Sequence, residues 1–195
     1  MRLLSLVPAA LLLAASTLAC HAGSINATAT ITDTPDASLA GVTDYSITLN
    51  NPSNTTDGIA TFWFGFVPGA DLLSATPTNI GSPAGWTEIL TDASGGSAIQ
   101  WDTSTKLAPG SSLSGFTFDS TETPAELFSA NGTGDGSADP QLTAFVFADG
   151  PLIGDGREFV VTPGTAVTPE PSTLALFGTG ILGLAGIARR KFLNA

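Results

Sequence analysis

Cys20 and His21 stand side by side and are the only thiol and the only imidazole in the chain. Nucleophilic, general-base or zinc chemistry of the Cys-His and Ser-His-Asp kinds needs one of them. Both lie in "MRLLSLVPAALLLAASTLACHAGS", where Arg2, the apolar stretch 3–18 and the small-x-small ending Cys20-His21-Ala22 have the three parts of a secretory signal. Cleavage is expected between Ala22 and Gly23, which leaves the mature chain with no thiol, no imidazole and no disulfide. A second reading lipidates Cys20 and makes the protein a surface lipoprotein. Thr17 argues against it, because such signals usually carry Leu at that position.

Carboxylates are the remaining groups able to do acid–base work. Glycoside hydrolysis by a carboxylate pair needs neither His nor Cys, and Glu88, Glu122, Glu126 and Glu158 are available. No spacing in the sequence brings two of them together, so a polysaccharide-active enzyme is the alternative and a non-enzymatic protein the expectation. Asp135 and Asp139 in "NGTGDGSADPQ", with Asp149 and Asp155 in "ADGPLIGDGRE", offer hard oxygens to calcium on Gly-rich loops. They match no EF-hand, and Asp-Gly pairs also serve plain turns. No metal site or cofactor is therefore expected. Trp63, Trp86 and Trp101 can stack on sugars or fill a core. Trp63, set among phenylalanines, is expected in the core. Trp86 and Trp101 flank a hairpin turn near 92–96, where a one-residue register change decides their face.

Charge narrows the partners. The chain holds 17 acidic and 6 basic residues, a net charge of −11. All the acidic residues lie between Asp33 and Glu170, where the only cations are Lys106 and Arg157. Such a surface repels nucleic acid and anionic headgroups.

The elements that must position these groups are short and alternate with period two. "INATATIT", "YSITL", "IATFWFGFV", "WTEIL", "SAIQW", "SLSGFTFDS", "LTAFVFA" and "REFVVT" are rich in β-branched and aromatic residues, with "NNPSNTTDG", "ASGG", "APGSS" and "ADGPLIGDG" as turns. Tyr45, Ile47 and Leu49 share one face, as do Phe62, Phe64 and Phe66. Only "TPAELFSA" suggests a helical turn. The expectation is an all-β fold, an antiparallel β-sandwich of about eight strands over residues 23–164. The order of "LNNPS", "IQW", "LAPGSSLSGFTFDS" and the late "FVF" strand resembles Ig-like ectodomains, and that resemblance implies an Ig-like sandwich.

Beyond the domain, residues 165–172 read as a linker and 173–195 as a transmembrane helix with a basic tail. Residues 173–188 carry no charge; at about 1.5 Å per residue they barely cross a hydrocarbon core of about 30 Å. Arg189, Arg190 and Lys191 belong on the cytoplasmic side, placing the domain outside. Pro169 and Pro171 force an extended, exposed segment before the helix. The sequence Pro169-Glu170-Pro171-Ser172-Thr173, then "LALFGTGILGLAGIA", then Arg189-Arg190-Lys191 resembles the PEP-CTERM sorting signal. That resemblance implies export by the general secretion machinery in an exopolysaccharide-producing Gram-negative bacterium. It further implies anchoring in the membrane, processing by exosortase near the triplet, and a final place on the cell surface or in the extracellular matrix. Exopolysaccharide is a candidate partner there.

Overall fold

The computed structural model describes residues 24–93, 95–129 and 140–164. The expected signal and its Ala22/Gly23 cut, Asp135 and Asp139, the linker, the Pro-Glu-Pro segment, the apolar helix and the basic tail lie outside the described residues.

The fold is all-β, with one short helix. In chain order the elements are β1 (Thr28–Pro35), β2 (Thr43–Asn51), β3 (Ile59–Phe64), β4 (Phe66–Val67), β5 (Ala70–Asp71), β6 (Thr78–Gly81), β7 (Trp86–Ala93), β8 (Gly96–Leu107), β9 (Ser111–Ser120), α1 (Pro124–Ser129), β10 (Thr143–Phe147), β11 (Gly156–Val160) and β12 (Thr162–Pro163). Sheet A has the order β12-β1-β2-β9-β6 and sheet B the order β11-β10-β3-β8-β7; β4 and β5 form a separate pair. Helix α1 starts with a capping box: Glu126 accepts from the backbone N–H of Thr123 at 2.8 Å, and Thr123 Oγ1 accepts from the N–H of Glu126 at 3.4 Å.

Alternation explains why the sheets face each other. The alternating strands, β1 and β2 above all, have one apolar face of residues that must leave water, and the two inner faces supply each other's cover. Ile31, Ile47 and Phe116 of sheet A join Phe62, Trp101 and Val146 of sheet B in one buried cluster. Phe62 stacks on Trp101 with centroids 5.4 Å apart and meets Phe116 edge-on at 5.4 Å. The Trp101 indole N–H donates to the Gly81 carbonyl at 3.1 Å, so its one polar atom is satisfied inside. Trp86 packs edge-on against Phe116 from β7. Both tryptophans whose face the sequence left open are thus core residues.

Four differences from the sequence reading have physical causes. There are twelve strands rather than about eight, because β4, β5 and β12 are too short to show a period and "TNIG" in β6 does not alternate by polarity. The β1–β12 pair is parallel, with Thr30 opposite Thr162. "IATFWFGFV" does not run straight: Gly65, at φ 67°, turns the chain, and Leu72 N–H closes the turn on the Gly65 carbonyl at 2.7 Å. Phe66 therefore leaves the face of Phe62 and Phe64 and covers Trp63, ring centroids 3.8 Å apart. Trp63 is buried as expected, but in a second cluster with Phe66 and Ala98 rather than in the main core.

Because Trp101 is fully buried and bridges β8 to the opposite sheet, Trp101→Ala should cost about 3–5 kcal/mol of stability. A urea unfolding midpoint unchanged from the native protein would contradict that position.

Candidate functional site

The outward half of the alternation in sheet A is polar. In β1 the outward residues are Thr28, Thr30, Thr32 and Thr34, set between buried Ala29 and Ile31. Pairing lines them up with β2 and β9. Thr30 lies opposite Thr48, which lies opposite Ser114; Thr32, Ser46 and Thr117 form the next row; Thr34, Asp44 and Asp119 form the last. A bulge at Gly115, φ 102°, inserts one residue between the first two rows and leaves both on the same face.

The last two rows border a cleft of ≈ 370 Å³, whose lining includes Thr32, Thr34, Asp44, Ser46, Asn79, Thr117 and Asp119. Asn79 reaches it from β6 in the left-handed conformation, φ 47°, which Asn tolerates better than most residues. Gly81 makes room for the floor: a β-carbon there would sit 2.4 Å from Thr117 Oγ1.

At the end of the cleft, Asp36, Asp44 and Asp119 each place a carboxylate oxygen within 4.8 Å of the others. Asp119 is buried and Asp44 exposed. The Asp44 carboxyl is pushed above its ordinary value by desolvation, then by the charges of Asp119 and Asp36. Asp36 goes the other way, because the Ser38 hydroxyl and the Ser38 and Leu39 N–H groups donate to it at 2.7, 2.6 and 3.1 Å. These three are the carboxylates among the described residues that could share a cation. Calcium needs about 6–8 oxygens, so hydroxyls, carbonyls or water would have to supply the rest.

Of the carboxylates singled out from the sequence, Glu122 and Glu126 lie near enough to feel each other's charge, and Glu88, Glu158 and Asp149 lie elsewhere. Glu88, on β7, accepts from the Ser82 hydroxyl. Glu158, on β11, lies opposite Phe145 at the other edge of sheet B. Four strand spacings separate those edges, about 19 Å, well beyond the about 5–9.5 Å of a glycosidase pair. Glu126 is committed to capping α1, which lowers its pKa. Glu122 is half-buried and accepts from Gln141 at 3.1 Å; desolvation raises its pKa. Asp149 is ion-paired with Lys106 at 2.5 Å, both side chains exposed. The Asp44–Asp119 pair was not legible in sequence, because 75 residues separate two positions joined only by the β2–β9 register. The period-two threonines of "TATITDT" were the one signal of the polar face.

The C-terminal region is similar to a known family. Residues 167–191 match the PEP-CTERM protein-sorting motif. The motif implies an exosortase substrate, exported and located at the surface. Among curated proteins, none matches this chain in sequence. Two solved structures of a GH20 exo-β-N-acetylglucosaminidase from Vibrio harveyi are similar to it, one an inactive mutant and one in complex with N-acetylglucosamine. Each aligns over 74% of this chain and 19% of its own, at 11% identity and a TM-score of 0.40. The chain thus spans under a fifth of those enzymes' length, and a likeness of that size transfers neither activity nor substrate. Among the described residues no helix is long and apolar enough to cross a membrane.

The carboxylate cluster carries a pH signature. A carboxyl whose pKa is raised in the folded state binds its proton more tightly folded than unfolded, so its penalty is absent below the unfolded pKa and grows as pH rises through the folded one. Asp44→Asn should therefore melt above the native protein at neutral pH, and the gap should close on acidification into the carboxylate range. Paired thermal melts of the two proteins across that range check this.

Proposed function

We propose that this is a non-enzymatic surface or matrix protein of an exopolysaccharide-producing Gram-negative bacterium, with an Ig-like sandwich as its exported domain. The observation that carries the proposal is the sorting motif at residues 167–191, which follows in sequence a domain built on two five-stranded sheets. In this reading the N-terminal signal is cut between Ala22 and Gly23, and residues 173–188 hold the exported chain in the inner membrane. Arg189, Arg190 and Lys191 stay on the cytoplasmic side. Exosortase then takes Pro169-Glu170-Pro171 as an extended segment and processes the chain, leaving the domain on the surface or in the matrix. The domain needs no catalytic pair for that role. Its 16 carboxylates within 24–164, against Lys106 and Arg157, keep it soluble and self-repelling.

Glu170→Ala tests the proposal, because it removes a carboxylate without touching the hydrophobicity of the following span. A simple membrane tail would be indifferent to it. A sorting signal should lose processing, and the full-length chain should accumulate in the inner membrane, as read by fractionation and immunoblotting. Normal release of the variant would leave only an ordinary transmembrane tail. Mass spectrometry of the mature protein should show Gly23 as its first residue; a lipidated Cys20 there would make it a lipoprotein.

A further inference from the structure

The cleft on the outer face of sheet A is built for a particular kind of ligand. Its walls carry hydroxyls from Thr34, Ser46 and Thr117, the Asn79 amide and the carboxylates of Asp44 and Asp119. Thr34, Ser46, Asn79 and Thr117 make no side-chain hydrogen bond to the described protein, so their donors and acceptors are free to face a ligand. No cation lines the cleft, which excludes an anion as ligand, and the polar walls disfavour an apolar one. At ≈ 370 Å³ it lies in the size range of small-ligand sites, about 300–1,000 Å³.

We propose that this cleft binds a sugar unit of a neutral polysaccharide, with the Asp44 and Asp119 carboxylates accepting from sugar hydroxyls and Ser46, Thr117 and Asn79 donating to sugar oxygens. The polar surface does not stop at the cleft. The row Thr30, Thr48, Ser114 continues it along the strands, at a spacing of about 6.7 Å per two residues, so neighbouring units of an extended chain would lie on hydroxyls too. The inference deepens the proposed surface or matrix role and rests on it for the ligand's availability. Binding itself is independent of how the protein is sorted.

The test is affinity electrophoresis of the mature protein recovered from its cells, in native gels containing dextran, hydroxyethylcellulose or galactomannan, with alginate as the anionic polymer. The protein should be retarded by at least one neutral polymer and not by alginate, equally with and without EDTA. The double variant Ser46→Ala, Thr117→Val should raise the dissociation constant about tenfold with an unchanged circular dichroism spectrum. Thr87→Val, exposed on the other sheet, should bind as the native protein does. The proposal is overturned by migration unaffected by every neutral polymer, by retardation that survives the double variant or is lost equally in Thr87→Val, or by an absolute need for calcium. Its failure would leave Glu170-dependent processing untouched, and failure of processing would leave gel retardation intact, so the two readings fall separately.

Discussion

The structure depends on the contact between two inner sheet faces, concentrated where Phe62, Trp101 and Phe116 meet one another. Burying aromatic side chains of this size contributes about 1.5–3 kcal/mol each before entropy is counted. With Cys20 its one cysteine, the sequence offers no internal disulfide to share the task, so apolar burial has to close the fold alone. This is why the period-two pattern is so strict in β2, where Tyr45, Ile47 and Leu49 are all buried and their neighbours are not. Asn51, drawn inside, is paired: it donates to the carbonyls of Asp57 and Leu107, each at 2.9 Å, tying the β2–β3 turn to the end of β8.

Using one face of each strand for the core leaves the other face free, and the two sheets spend it differently. Sheet B covers part of its outer face with its own chain. The turn at Gly65 lays Phe66 over Trp63, and Phe145 packs alongside. Sheet A keeps a polar face, because threonine satisfies β-propensity on a solvated surface without demanding burial. Its hydroxyl rows follow from register as much as from composition. Only the alignment of β1, β2 and β9 turns separate threonines and serines into a continuous surface with a cleft at one end.

That cleft also lies near the exit to the sorting motif. Strand β12 runs parallel to β1, and Gly164 N–H donates to the Ile31 carbonyl at 2.7 Å, beside Thr32. The chain thus leaves the described domain next to the polar face. Desolvation, and then the charges of Asp119 and Asp36, raise the Asp44 pKa there, and the same carboxylates repel anions.

Local chemistry determined much by itself. The strands with clear alternation, the capped turn of α1 and the sorting motif at 167–191 were all readable, because each depends on residues close together in the chain. Tertiary structure alone decided the rest. Register placed Trp86 and Trp101 inside, a single left-handed glycine diverted Phe66 from the core to the outer face, and the β2–β9 pairing set Asp44 beside Asp119. These outcomes depend on which distant strand lies alongside, and no local pattern of side chains carries that information.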